Sequence, residues 1–144
     1  MIHVSRSAAA GRPGGEPLAA AAYRPGVCNI GPEEIARRRR SGHVGALLTL
    51  GLLVLLVAIG APPVARLALV IPATVSASGY LQAWLKFCAG FGAMGVRNFG
   101  PLGRTEAVED EAARAADRRR ARQIGLMSLG VGLAVALMAV VLPI

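Results

Sequence analysis

The chain has 144 residues, 54% of them hydrophobic, and carries fifteen Arg and one Lys for a formal net charge of +8. Its arginines stand beside long apolar blocks instead of covering a surface, which argues against a soluble domain built on amphipathic stripes. Only 4% of its residues are aromatic, which leaves no stacking platform for single-stranded nucleic acid, and two cysteines exclude a disulfide framework.

Residues 1–27 are rich in Gly, Pro, Ala and Ser and show no hydrophobic period, so a disordered tail is expected there. No short apolar segment with a small-residue cleavage site precedes Val44, and no cleaved signal peptide is expected. A membrane domain over 28–144 follows. Its first helix should start at Gly31-Pro32, because proline fits the first helical position and Glu33 and Glu34 suit the positive end of the macrodipole. Arg37, Arg38, Arg39 and Arg40 come next. The helix either runs straight into an apolar block at 44–61 or bends at Ser41-Gly42.

Further blocks occupy 67–85 and 124–144, and none of the three holds Asp, Glu, Lys or Arg. About 20 apolar residues at about 1.5 Å each cross a hydrocarbon core of about 30 Å, so three transmembrane helices are predicted. Gly60 and the Pro62-Pro63 pair end the first, and the short turn makes the first two an antiparallel hairpin. Pro72 predicts a kink in the second. Trp84, Lys86, Phe87 and Phe91 suit the membrane interface. The glycines at 90–100 predict a frayed loop ending by Pro101. A charged helix should then begin with Thr105 as N-cap, pair Asp110 with Arg114, and continue through Gln123 into the third span.

The hairpin turn carries one arginine, and the polar segments at the other end carry many. The positive-inside rule therefore places the N-terminus in the cytosol and the C-terminus in the periplasm or outside. The Arg-over-Lys and Ala-over-Ser bias is that of a GC-rich bacterial genome, so a bacterial cytoplasmic membrane is the expected location. Arg37, Arg38, Arg39 and Arg40, with Arg118, Arg119, Arg120 and Arg122, are expected to touch anionic lipid headgroups.

Four other patterns bear on chemistry. Thr74, Ser78 and Gln82 recur every four residues, forming a polar membrane face for interhelical hydrogen bonds or a solute path. Ser128, Gly132 and Ala136 form a small-residue face for close packing against the hairpin or a second copy. Residues 90–95 spell G-x-G-x-x-G, but a membrane helix precedes them and no strand, so they suit packing more than a dinucleotide. Cys28 and Cys88 form a candidate thiol pair, with His43 as a third soft ligand, although no C-x-x-C or H-x-x-x-H spacing supports a metal. The carboxylates look like helix-start acids and a solvated helix face, and no catalytic pair is visible.

The segments 28–38 (CNIGPEEIARR), 79–83 (GYLQA) and 87–92 (FCAGFG) resemble a group of small bacterial integral membrane proteins. The resemblance covers about 28–144. It implies a few-span helical protein with no assigned activity, transfers no site, and draws attention to Cys28 and Cys88.

The sequence thus predicts an all-α membrane protein with cytosolic helical extensions. The expected function is non-enzymatic, accessory or structural, with basic arms that contact lipid headgroups or a partner protein. A subunit of an oligomeric transporter or channel is the first alternative, and a thiol or metal site the second. No cofactor and no nucleic acid is expected.

Overall fold

The computed structural model describes residues 22–144; the disorder expected of residues 1–21 lies outside them. Helix α1 spans Pro32–Ala58, with Gly31 as N-cap and Pro32 in the first turn. It is one unbroken helix of 27 residues, about 40 Å long, with no bend at Ser41-Gly42. It ends in a Schellman turn: Gly60 adopts φ +67°, Ala61 N–H donates to Leu56 C=O, and Gly60 N–H donates to Val57 C=O.

A 3-10 helix over Pro63–Leu69 then leads directly into α2, Val70–Leu85. Pro72, where the sequence predicts a kink, stands just past this change of helix type. Pro72 is the third residue of α2, where a backbone N–H has no α-helical partner to lose. Lys86 closes α2 in the left-handed region at φ 54°, and Phe87 N–H donates back to Gln82 C=O.

The glycine-rich segment does not fray. It forms a short helix α3, Ala89–Met94, and a two-residue strand β1, Val96–Arg97, that pairs antiparallel with β2, Glu106–Ala107. Arg97 and Glu106 face each other across this ribbon at 3.4 Å. The ribbon removes Thr105 as a cap. The last helix, α4, spans Glu111–Val141, and the Asp110 carboxylate caps it by accepting from Ala113 N–H at 2.9 Å. Asp110 serves as a cap and makes no ion pair with Arg114; Glu111 pairs with Arg118 instead.

The fold is mostly helical, with three long apolar helical stretches: Pro32–Ala58, Pro63–Leu85 and Glu111–Val141. This is a small multi-pass membrane protein. Helix α2 is central and packs on both α1 and α4. The α1–α2 contact is backbone against backbone. A β-carbon on Gly45 would lie 2.5 Å from Ser76 N, and one on Gly79 would collide with Gly42 N and the Arg38 carbonyl. Ser76 Oγ donates to Gly42 C=O at 2.9 Å across the same crossing.

Helix α4 buries Ala113, Asp117, Ala121, Ile124, Ser128, Gly132, Ala136 and Ala139. Spacings of three and four keep these on one face. Gly132 lies against Thr74 and the Val70 carbonyl, so Ser128, Gly132 and Ala136 pack on the hairpin. At the turn end, Leu69, Ala136 and Ala139 form a small core; at the other, Phe87, Ala121 and Ile124 form a second. Phe87 is fully buried there, whereas Trp84 is 79% exposed.

Overpacking a filled site typically costs about 1–3 kcal/mol. Gly79→Leu and Gly132→Leu should each lower thermal stability in detergent by at least that much, because backbone stands in the way. Val135→Leu, on a more open face, should stay near wild type. Equal melting of the Gly132 and Val135 variants would remove the packing argument.

Candidate functional site

The polar groups that matter collect at the arginine end, and the segment before α1 brings them together. Residues 23–27, expected to be disordered, form a tight turn: Cys28 N–H and Val27 N–H both donate to Arg24 C=O. The chain then runs beside residue 98. Asn98 N–H donates to Asn29 C=O, and Gly31 N–H donates to Asn98 C=O.

Asn29 is fully buried and acts as a one-residue strand. Its Oδ1 accepts from Cys88 N–H at 2.7 Å, and its Nδ2 donates to Cys88 C=O at 3.1 Å. Asn98 closes the other side. Its Nδ2 donates to Pro101 C=O and to Glu34 Oε1, and its Oδ1 accepts from Gly100 N–H.

Glu34 looks like an ordinary helix-start acid in the sequence, but it is only 1% exposed. Arg37 and Arg38 lie at 3.9 and 3.8 Å from its oxygens and balance its charge. Glu33 holds the 98–102 loop through Leu102 N–H at 3.1 Å.

Asp117 is likewise not part of a solvated helix face. It is fully buried, and its oxygens accept from Tyr23 O–H and Gly26 N–H, each at 2.7 Å. The Arg97 guanidinium lies 5.1 Å over the Tyr23 ring. Burial, then the hydrogen bond to the Asp117 carboxylate, push the Tyr23 phenol far above its ordinary value.

The candidate thiols have separate partners. Cys88 is buried, and its sulfur accepts from Arg38 Nη2 at 3.0 Å and from Phe91 N–H at 3.4 Å. Cys28 is half-buried, and its thiol reaches the Ile30 carbonyl at 3.8 Å. Both are free. His43 contacts Tyr80 instead, with Nδ1 2.6 Å from the phenol oxygen. No group of three or more His, Cys, Asp or Glu converges among the described residues.

The Thr74, Ser78, Gln82 stripe is turned into the protein. Gln82 Nε2 donates to Ser78 Oγ at 2.7 Å, and its Oε1 accepts from Ala89 N–H at 2.9 Å. Thr74 stands against Gly132. Two of the three glycines of the G-x-G-x-x-G string also pack: Gly92 lies on the Phe87 ring and the Asp117 carbonyl, and Gly95 on Arg114, while Gly90 is exposed.

Of the eight candidate headgroup arginines, Arg37, Arg39, Arg40, Arg118, Arg119 and Arg122 are exposed, while Arg120 is half-buried. Arg38 differs from the expectation: it bends inward over Glu34, Cys88 and the Phe91 ring, 5.9 Å from the ring centroid.

At the opposite end Arg66 is buried. It donates to the carbonyls of Ala139, Leu142 and Ile144, where α4 ends and its dipole is negative. The sequence reading missed Asn29, Asn98, Asp117, Arg66 and the glycines of the α1–α2 crossing. The only signal available was residue type: an Asn three residues before a helix start, and a lone Arg in an otherwise apolar turn. No family model matches the chain, and neither a curated protein nor a solved structure matches it.

Two outcomes follow for this end of the molecule. Asn29→Ala leaves the N–H of Cys88 unpaired in a buried place, at about 1–3 kcal/mol, while its C=O keeps only the bond from Gly92 N–H. It should lower the unfolding midpoint and make Cys88 alkylate faster than in wild type; unchanged alkylation would refute the clasp. In a Tyr80→Phe background, the phenolate absorbance of Tyr23 should appear only well above pH 10, where free tyrosine titrates. Because its folded pKa is raised, its contribution to stability is complete below about pH 10 and erodes as the pH climbs beyond it. Asp117→Asn should bring the titration back towards the ordinary range.

Proposed function

We propose that this chain is a non-enzymatic accessory protein of a bacterial inner membrane, oriented with its arginine end in the cytosol. There its basic surface engages anionic lipid headgroups and, through them or directly, a partner in the same membrane.

The asymmetry of exposed cations supports this most. Arg37, Arg39 and Arg40 on α1 and Arg118, Arg119 and Arg122 on α4 are all exposed at one end. They stand within about two helical turns of the apolar segments, close enough for their long side chains to reach back into a headgroup layer of about 5–8 Å. At the other end Arg66 is already bound to backbone carbonyls. The charge difference available to the positive-inside rule is therefore larger than the sequence count suggests. The transporter reading needs Thr74, Ser78 and Gln82 to face a wet path, and two of the three bond to each other. The thiol reading needs Cys28 and Cys88 to converge, and each sulfur has its own partner.

Reporter fusions test the orientation. A periplasm-active enzyme joined at Pro62-Pro63 should give signal, and one joined near Arg104 should be silent; the reverse pattern overturns the orientation. Lipid contact is tested by spin-labelled lipids in mixed bilayers. Anionic lipid should be enriched around the protein over zwitterionic lipid, and the enrichment should shrink at high salt and in an Arg37, Arg39, Arg40→Gln variant.

A further inference from the structure

Helices α3 and α4 leave a pocket of about 360 Å³ between them at the arginine end. It falls in the range of about 300–1,000 Å³ typical of ligand sites. Ala89 and Ala93 of α3 and Arg118, Ala121 and Arg122 of α4 line it. Three alanines and two arginines line it, and no acidic residue does.

Arg122 has no ion-pair partner among the described residues. Arg118 pairs with Glu111 at 2.9 Å, but both side chains are well exposed, and such pairs are worth about 0–1 kcal/mol. Asp117, the acid adjacent to Arg118 in sequence, is buried and held by Tyr23 and Gly26.

The depth of the pocket is informative. Ile124 begins the apolar part of α4, so Arg122 and Arg118 lie about 3 and 9 Å beyond it along the axis. A headgroup layer of about 5–8 Å on each side of the hydrocarbon takes in Arg122, and the long side chain of Arg118 can reach back into it. Towards the membrane, Leu126, Leu129 and Leu133 continue the face of Arg118 and Arg122 at spacings of three and four, and all are exposed. The cationic pocket therefore opens onto an uninterrupted apolar track. A free anion would use only the first part; a phospholipid would use both.

We propose that this pocket holds the headgroup of one anionic phospholipid, its phosphate between Arg118 and Arg122, its glycerol on the alanines, and an acyl chain along Leu126, Leu129 and Leu133. The site rests on the reading that the arginine end lies in an anionic leaflet, and it adds one defined lipid to that general attraction. The small side chains of α3 are then functional. Any larger residue at 89 or 93 would fill the space the headgroup occupies, without changing charge.

Native mass spectrometry of the full chain, released from bilayers of phosphatidylglycerol and phosphatidylcholine, tests this. Wild type should retain one phosphatidylglycerol and no phosphatidylcholine. Ala93→Leu, at an exposed position where folding tolerates it, should reduce retention at least tenfold with every arginine in place. Arg122→Gln should do the same, whereas Arg119→Gln, an equal charge loss outside the pocket, should retain the lipid. Inorganic phosphate and glycerol phosphate at millimolar concentration should not displace it. Equal retention by wild type, Ala93→Leu and Arg119→Gln would overturn the site while leaving the general anionic preference standing. Displacement by inorganic phosphate would make it a free-anion site and overturn the lipid assignment. No preference for phosphatidylglycerol in wild-type bilayers would remove the general reading as well.

Discussion

The arrangement of this protein depends on one contact: the backbone of α1 lying directly on the backbone of α2 where Gly42 and Gly45 meet Ser76 and Gly79. In lipid, helices gain little by hiding apolar surface from apolar surface. Close approach, dispersion and short hydrogen bonds decide which faces meet. Here the absence of side chains permits that approach, and Ser76 adds a hydrogen bond to the Gly42 carbonyl. The crossing also fixes the level of α1 against α2. It sets the first turns of α1, with Glu34 and Arg38, beside the end of α2, where the chain turns at Lys86 into Cys88. Without it, Arg38 would not reach the Cys88 sulfur, and Asn29 would not sit opposite the Cys88 backbone.

The buried polar groups at the arginine end form a second layer built on that crossing. Asn29, Glu34, Asn98 and Asp117 are almost wholly removed from solvent. Burying such groups is costly unless each finds partners. Nearly all do, and the partners come from distant parts of the chain: Asn29 with Cys88, Asn98 with Glu34, Asp117 with Tyr23 and Gly26. A network satisfied only in one arrangement specifies that arrangement. It holds the segment before α1, the 98–101 loop and the base of α4 as one body, from which the exposed arginines project.

The two ends use arginine differently. At the turn end, Arg66 binds the carbonyls that the end of α4 leaves open, joining the hairpin to the third span. At the other end, six arginines of α1 and α4 remain exposed. The same residue type is a structural cap in one place and an exposed charge in the other. Only its surroundings distinguish the two.

The sequence by itself determined the three apolar spans, the antiparallel hairpin, the start of the first helix at Gly31-Pro32, and the continuity of the charged helix with the third span. These follow from length, hydropathy and proline placement, which act locally and read directly from neighbouring residues. It also marked Ser128, Gly132 and Ala136, because a four-residue spacing maps onto one helix face whatever the partner. Only the tertiary structure decided that Thr105 yields its capping role to Asp110, since Glu106 and Ala107 are claimed by pairing with Val96 and Arg97. Only the tertiary structure turned Arg38, Phe87, Glu34 and Asp117 inward, and ordered Tyr23 to Val27 against α4. In each case the stabilising partner lies far away in the chain, 50 residues for Arg38 and Cys88 and 94 for Tyr23 and Asp117. Residue type alone cannot distinguish an acid on a wet helix face from one that a distant phenol and amide will desolvate and hold.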